Sequence, residues 1–369
     1  MKSASRISAN IPNCHNCALR ILFIDTIMYR TSVEKRILDF KQPAGTSRGI
    51  YTKRDIWIVT VTSDEYPDRK GIGECAPLPD LSCDASSGNE TTLRSLCRLF
   101  EQTGKIDYSL MRPYPSVLFG LETALLNFEK GERLFDTPFS RGEVGIPVNG
   151  LVWMGNFEEM NHRMKKKLSE GFKCVKLKIG AIDFDSEIAL VKSIRKRFSK
   201  EYIELRVDAN GGFSVEEAAA RLEQLAKYDI HSIEQPIRQR QWKEMARLCA
   251  ETPLPIALDE ELIGVNQPEM KDELLDIIKP QYIVLKPTLH GGMRGTREWI
   301  DKAEARNVGT WITSALEGSV GLNAIAQLTA EIYGSDIDMA QGLGTGTLFT
   351  NNMPAKTEIR GNKIWMLQR

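Results

Sequence analysis

The sequence predicts an α/β protein with a (β/α) barrel as its main domain and a smaller α+β domain before it. From about residue 145, short apolar runs alternate with amphipathic helical stretches. Six successive predicted strands end at intervals of 25 to 30 residues, the length of one strand plus one helix. A doubly wound open sheet has a similar local pattern, but no G-x-G-x-x-G follows the first strand.

Composition excludes several classes of protein. The chain has 369 residues, with 49 Lys and Arg against 49 Asp and Glu, so it lacks the basic excess that nucleic-acid binding requires. The apolar stretch at residues 18–28 is interrupted by Arg20 and Asp25 and is shorter than the ~20 residues of a membrane span. No secretory signal is evident, and the seven cysteines are irregularly spaced. We therefore expect a reduced, cytoplasmic protein without nucleic-acid or membrane partners.

The first 140 residues divide into two predicted parts. Residues 1–27 show no sustained periodicity and are interpreted as a poorly ordered extension; their C-x-x-C, Cys14 and Cys17, has no second ligand pair at a useful spacing. Residues 28–140 are predicted to form the α+β domain. Its strands lie within 28–62 and at 71–74, and its helices lie near 90–103 and 115–130.

The barrel is predicted over residues 141–345, and residues 346–369 are expected to return to the first domain. One helix should begin at the capping-box pattern of Ser214 to Glu217 and continue to Tyr228. The predicted strands cover residues 146–149, 174–178, 203–208, 232–234, 256–259, 282–286, 310–313 and 338–341.

Three carboxylates stand at the ends of consecutive predicted strands. They are Asp208, Glu234 and Asp259. In a barrel the carboxyl ends of the strands form one face, where active sites lie, so these acids should converge and repel each other. A hard divalent cation would neutralise them, and Mg²⁺ prefers oxygen ligands. The alternative is a set of acids on the surface.

Three lysines accompany these acids. Lys176 and Lys178 lie two residues apart on one strand and so face the same side, while Lys286 ends a strand across the barrel. Two neighbouring buried ammonium groups should lower a lysine pKa toward that of a general base. The alternative is a solvated lysine pair. None of the four histidines falls on a strand end, which favours lysine over histidine as the acid/base group.

A metal that binds a substrate carboxylate, with a lysine beside it, suits removal of a proton α to that carboxylate. The product of that step is an enediolate, whose charge the metal stabilises. We therefore expect a small-molecule carboxylate as the substrate.

The motifs at the strand ends resemble those of the muconate-lactonizing subgroup of the enolase superfamily, in which a lysine base beside a metal is the known pattern. The resemblance spans about residues 28–350. It rests on Lys176-Leu177-Lys178, Asp208-Ala209-Asn210, Glu234-Gln235-Pro236, Asp259-Glu260 and Lys286-Pro287.

This resemblance implies a modified TIM barrel, (β/α)7β, with an N-terminal α+β capping domain. It implies Mg²⁺, with Mn²⁺ as the alternative, bound by the three strand-end carboxylates. It also implies that Lys178 is the base, that Lys176 is its electrostatic partner, that Lys286 lies opposite, and that Asn210 supports the metal site.

Other segments resemble the o-succinylbenzoate synthase family. They are residues 71–79 (GIGECAPLP), 115–120 (PSVLFG), 149–151 (NGL), 314–322 (SALEGSVGL) and 342–345 (GLGT). The family reaction is syn dehydration of 2-succinyl-6-hydroxy-2,4-cyclohexadiene-1-carboxylate in menaquinone synthesis. The resemblance implies that Ser314 and Glu317 lie on a loop at the substrate. Arg48 is expected on a capping-domain loop that closes over it.

Two other functions remain open. An N-acylamino acid racemase or dipeptide epimerase would use Lys178 and Lys286 as its two acid/base groups, and an epimerase would add an acidic D-x-D, to which Asp336-Ile337-Asp338 comes close. A barrel that only binds a ligand is the second alternative. The oligomeric state is open between monomer and homodimer.

Overall fold

A computed structural model describes residues 27–46, 49–153, 155–180 and 183–368. The prediction of a poorly ordered segment at residues 1–27, with its two cysteines, falls almost wholly outside these ranges, and so does Arg48. Among the helices described, none combines the length and the apolar character that crossing a membrane requires.

The capping domain consists of an antiparallel sheet and helices packed on one of its faces. The strands pair in the order β1-β2-β3, and the β1–β2 register shifts between Asp39 and Ala44. Alternate residues of β2 point into a core shared with α1 and α3, as the two-residue period of a strand requires. The elements are β1 (Tyr29–Thr46), β2 (Gly49–Ser63), β3 (Gly71–Cys75), α1 (Asn89–Thr103), α2 (Tyr108–Met111) and α3 (Pro115–Lys130).

The second domain is a parallel sheet of seven strands, curled into a barrel and covered by helices. Each strand from β5 to β11 pairs with the next one along the chain, and a helix connects each pair. The elements are β4 (Ile146–Pro147), β5 (Gly150–Val152), α4 (Phe157–Ser169), β6 (Cys174–Lys178), α5 (Phe184–Arg197), β7 (Glu204–Asp208), α6 (Val215–Ala226), β8 (Ser232–Glu234), α7 (Trp242–Glu251), β9 (Ile256–Leu258), α8 (Pro268–Ile278), β10 (Tyr282–Leu285), α9 (Gly292–Glu304), β11 (Gly309–Ile312), α10 (Ser319–Tyr333), β12 (Thr357–Arg360) and β13 (Lys363–Met366).

Short polar side chains begin several of the barrel helices. Ser214 accepts a hydrogen bond from the Glu217 backbone N–H and starts α6, as the capping-box pattern predicted. Asn156 does the same for α4 and Asp183 for α5. These capping residues fix where each of the three helices begins, after the loop that follows the preceding strand.

The two outermost predicted barrel strands were placed incorrectly. Residues 146–147 form β4, which pairs antiparallel with β13, and the first parallel strand is β5. Residues 338–341 form no strand. Instead, Gln341 bridges to Val148 and Gly342 bridges to Thr313, which closes the sheet between its first and last strands. The predicted α/β class and barrel with a capping domain are confirmed.

Residues after the barrel contact both domains. The Thr350 backbone N–H donates to the Asp39 carbonyl of β1, and the Asn351 side chain also hydrogen-bonds to Asp39. The chain then forms the hairpin β12–β13, which pairs with β4 at the barrel.

Strand β3 and helix α3 approach so closely that only glycine fits between them. A Cβ at Gly73 would lie 1.9 Å from the Gly120 carbonyl oxygen, and a Cβ at Gly120 would lie 2.2 Å from the Cys75 Sγ. Backbone and core side chains on both sides leave little freedom to move apart.

We predict that Gly73→Ala lowers the free energy of unfolding by about 3 kcal/mol, because the added methyl group overpacks this contact. The measurement is denaturant unfolding. Gly88→Ala is the matched control, since its nearest neighbour would be 3.9 Å away, and it should change stability by less than about 1 kcal/mol. Equal effects of the two substitutions would contradict the prediction.

Candidate active site

The carboxyl ends of the barrel strands bring the predicted acids and lysines together. Lys178, Asp208 and Glu234 are consecutive partners in the register of β6, β7 and β8, so their side chains form one row. Asp259 directly follows β9 and Lys286 directly follows β10. Three strands separate β6 from β10 in the sheet, which places Lys178 and Lys286 on opposite sides of the barrel mouth.

Asp208, Glu234 and Asp259 form a compact cluster of carboxylates. All three are buried, and one oxygen of each lies within 4.8 Å of the others. The Glu234 Oε1 atom is buried without a hydrogen-bond partner among the residues described, although a buried carboxylate oxygen normally has one. Three hard oxygen donors, one of them without a partner, fit a divalent metal ion. This arrangement points to divalent metal binding.

Lys176 lies beneath this cluster and contacts two of its members. Its Nζ atom lies 3.0 Å from the Asp208 Oδ2 and 2.8 Å from the Glu234 Oε2. Burial alone would lower the pKa of Lys176, but the adjacent carboxylates raise it above its usual value. The expectation of a lowered pKa is therefore wrong for this lysine, because it has two buried anionic partners as well as a cationic neighbour.

The carboxylates respond to the same charges in opposite directions. Burial alone would raise the pKa of Asp208, but Lys178 and Lys176 outweigh it and hold that pKa below its usual range. Burial is the main cause that raises the pKa of Glu234 to about 7, and repulsion from Asp208 and Asp259 raises it further. The opposing effect of the Lys176 charge offsets only part of this rise. A bound divalent cation would favour the ionised form of all three acids.

Lys178 is held by two oxygens at the edge of the cluster. Its Nζ lies 2.6 Å from the Asp208 Oδ2 and 2.7 Å from the Asn210 Oδ1. The Asn210 Nδ2 donates in turn to Glu260 at 3.0 Å. Asn210 has a φ of 45°, a conformation that asparagine tolerates better than most residues. Its side-chain oxygen faces Lys178. Glu260, to which no role was assigned from sequence, thus orients the amide that contacts Lys178.

Lys286 contacts both oxygens of Asp259. The backbone N–H of Lys286 donates to the His290 Nδ1 at 3.0 Å. Burial lowers the pKa of His290 to about 3, which keeps its ring neutral and suits a role in holding this loop rather than in proton transfer.

One cavity opens above these groups. Lys176, Lys178, Lys286, Asn210 and Glu260 lie on one part of its wall. The capping domain contributes Tyr51, Leu78 and Leu81 to the remaining wall, and the barrel contributes Trp153, Ala315 and Leu316. Both domains therefore build the cavity.

The loop after β11 supplies Ser314 to the cavity wall, while Glu317 lies buried behind it. The Glu317 carboxylate accepts hydrogen bonds from the Ser314 hydroxyl at 2.6 Å, from the Ala315 backbone N–H and from the Thr288 hydroxyl. Glu317 thus holds the two loops that follow β10 and β11 and does not itself line the cavity.

Two buried charges, to which the sequence analysis gave no individual role, join the domains at this loop. Arg54 of β2 donates to the carbonyls of Leu316 and Ala315 across the interface and to two carbonyls that follow β3. Glu74 of β3 accepts from the backbone N–H groups of Gly318 and Gly321 at 2.6 and 2.8 Å, at the start of α10. For Glu74 the available signal was its place in the motif at residues 71–79, and for Arg54 it was a charge next to an apolar strand.

The chain matches two family models. Residues 159–343 match the model described as enolase C-terminal domain-like, and residues 46–128 match the MenC N-terminal domain. The o-succinylbenzoate synthase of Desulfotalea psychrophila is 46% identical over 366 residues, which cover 90% of this chain and 98% of that protein. The chain belongs to the o-succinylbenzoate synthase family.

Solved structures agree with this family assignment. The crystal structure of MenC from Desulfotalea psychrophila superposes with a TM-score of 0.78 at 40% identity, covering 92% of this chain and 99% of that one. The L-Ala-D/L-Glu epimerase from Bacillus subtilis superposes with a TM-score of 0.79 at 21% identity, covering 93% and 96% of the two chains, which shows a shared fold.

We predict that Glu234→Gln weakens binding of Mn²⁺, used as a paramagnetic probe, by at least about tenfold. The substitution replaces a charged carboxylate ligand by a neutral amide of nearly the same shape. Titration followed by electron paramagnetic resonance measures the affinity. Asp338→Asn is the control, since Asp338 is exposed and should leave the affinity unchanged. Wild-type affinity in Glu234→Gln would place the metal elsewhere.

Proposed function

We propose that the protein is a metal-dependent o-succinylbenzoate synthase. It would remove water from 2-succinyl-6-hydroxy-2,4-cyclohexadiene-1-carboxylate to give o-succinylbenzoate, a step of menaquinone synthesis. The observation that carries the proposal is the placement of Lys178 and Lys286 on opposite sides of one cavity, beside three buried carboxylates. The nearly full-length similarity to the Desulfotalea psychrophila enzyme supports this reaction among those that such a site permits.

Asp208, Glu234 and Asp259 would hold the metal, for which we propose Mg²⁺, with Mn²⁺ as the alternative. When bound, the ion supplies positive charge that stabilises the negative charge developing on the substrate carboxylate. The fit rests on the three oxygen donors and the partnerless Glu234 Oε1.

Lys178 performs both proton transfers in this proposal. Its neutral amine takes the proton from the carbon next to the ring carboxylate, and the electron pair of that C–H bond remains on the substrate. The C–O bond to the ring hydroxyl then breaks on the same face, and the Lys178 ammonium gives its proton to the departing oxygen. Water leaves, the ring becomes aromatic, and Lys178 returns to its starting state.

Lys286 contributes charge from the opposite face. Its contact with Asp259 and its place across the barrel mouth suit an ammonium group that stabilises the anionic substrate without exchanging a proton. Asn210 acts on Lys178, since its amide oxygen accepts from the Lys178 amine and limits where that amine can point. Ser314 lies on the cavity wall, and Glu317 fixes the loop that carries it.

A dipeptide epimerase is less well supported by this cavity. Asp336 and Asp338, which resembled a binding motif for a substrate ammonium, are exposed and do not line it. Among the described residues that do line it, Glu260 is the sole carboxylate, and it lies at the metal end bonded to Asn210. Racemisation of a substrate without an ammonium group remains a second candidate, favoured by the two opposed lysines.

We predict that wild-type protein with Mg²⁺ consumes the cyclohexadiene substrate, seen as loss of its ultraviolet diene absorbance, and that EDTA abolishes the reaction. Lys178→Ala should lower kcat by at least about 10³-fold, because the group that moves the proton is gone. Lys173→Ala, an exposed lysine just before the same strand, should retain wild-type activity. An active Lys178→Ala variant would exclude this lysine as the base.

We predict that Lys286→Arg separates dehydration from racemisation. Arginine keeps the positive charge but cannot give up a proton at accessible pH, so dehydration should retain measurable activity while interconversion of the two enantiomers of an N-succinylamino acid, which needs a proton-transfer group on each face, is lost. Both rates are measured on the same preparation. Equal loss of the two activities would show that Lys286 does more than supply charge to the dehydration.

A further inference from the structure

A second pocket lies beside the mouth of the main cavity and has a cationic wall. It is formed by residues 41–44 of β1, by one face of α4, and by Trp153, Thr347 and Leu348. Trp153 lines both this pocket and the main cavity, so the two spaces share a wall. We refer to this second pocket as the cationic pocket.

Three positive side chains line the cationic pocket, and no carboxylate does so among the residues described. They are Lys41, Arg163 and Lys166. The chain as a whole has no net charge, so three cations without a lining acid are a marked local excess. Such a pocket favours an anion, and its lysine side chains can move to meet one.

Arg163 is already engaged, whereas the two lysines are not. Its guanidinium donates to the Trp153 carbonyl at 3.1 Å and lies 3.6 Å from Glu159, which fixes the wall shared with the main cavity. Lys41 and Lys166 form no ion pair with any part of the chain that the structure describes. The neighbouring Lys167, by contrast, pairs with Glu170 at 2.8 Å and does not line the pocket.

Among the residues that the structure describes, all the cations of the main cavity lie at one end of it. Its described positive side chains are Lys176, Lys178 and Lys286, all beside the carboxylate cluster. The rest of its wall is apolar or neutral, including Leu78, Leu81 and Leu316. Within this described part of the chain, a substrate with carboxylates at both ends would find cations for one end in the main cavity, and for the other end only past Trp153.

We propose that the cationic pocket binds the succinyl carboxylate of the substrate through Lys41 and Lys166, and thereby selects dicarboxylates. This inference rests on the proposed function, which supplies a substrate with a second carboxylate. A free inorganic anion is the other source of the same chemistry, and the test separates the two.

The test compares Lys41→Ala, Lys166→Ala and the double variant with wild type. Each single substitution should raise KM for the cyclohexadiene substrate by about 3- to 10-fold, with the change falling on KM rather than kcat. The inhibition constant of the product o-succinylbenzoate should rise in parallel. Lys165→Ala, an exposed lysine on the same helix that does not line the pocket, is the matched control and should behave as wild type.

A second inhibitor separates the succinyl carboxylate from other anions. The methyl ester of o-succinylbenzoate at its succinyl carboxylate should inhibit wild type and the double variant equally, because the group that the lysines recognise is neutral. If the lysine variants lose affinity for the ester as strongly as for the acid, the pocket does not recognise this carboxylate. If they leave the inhibition constant of the acid unchanged but lose affinity for inorganic phosphate, the pocket binds a free anion instead.

Failure of this inference can be told apart from failure of the proposed function. Wild type that turns over the substrate, with lysine variants of unchanged KM, would overturn the pocket assignment and leave the reaction in place. Wild type without turnover would overturn the function itself.

Discussion

The concentration of buried negative charge at the barrel mouth is the constraint on which the rest of the site depends. Asp208, Glu234 and Asp259 lie together out of water, where unpaired carboxylates are costly. The three lysines offset part of that cost through direct contacts, and the raised pKa of Glu234 shows that the compensation is incomplete. A divalent cation would complete it, so the imbalance that favours a metal at this cluster also holds the three lysines beside it.

The capping domain is attached through groups that also shape the cavity. Glu74 caps the start of α10, and Glu122 of α3 accepts from the backbone N–H groups of Met293 and Arg294 at the start of α9. Each carboxylate meets a helix end that lacks backbone partners of its own. Burial raises the pKa of each to about 7, so these contacts are made at an energetic cost that close packing of the two domains has to offset.

Sequence patterns predicted the features that depend on the spacing of residues along the chain, such as the positions of strand ends. The 25- to 30-residue repeat placed Lys178, Asp208 and Glu234 at strand ends, and because parallel strands end on one face, the repeat alone brought these residues together. Features set by distant partners were not predictable in this way. Residues 146–147 pair with β13 from the far end of the chain, and the pKa of Lys176 depends on two carboxylates 32 and 58 positions away.

The distribution of charge also explains how a chain with no net charge can recognise an anionic ligand. The buried acids of the site lie at the floor of the barrel and at the domain interface, where lysines, helix ends and a metal can neutralise them. The described walls above are neutral or apolar, and Lys41 and Lys166, which form no ion pair with the described residues, line the pocket beyond Trp153. A molecule with one carboxylate at each end would be oriented by this separation alone. Because orientation decides which carbon faces Lys178, the placement of charges far from the reacting bond contributes to the choice of reaction.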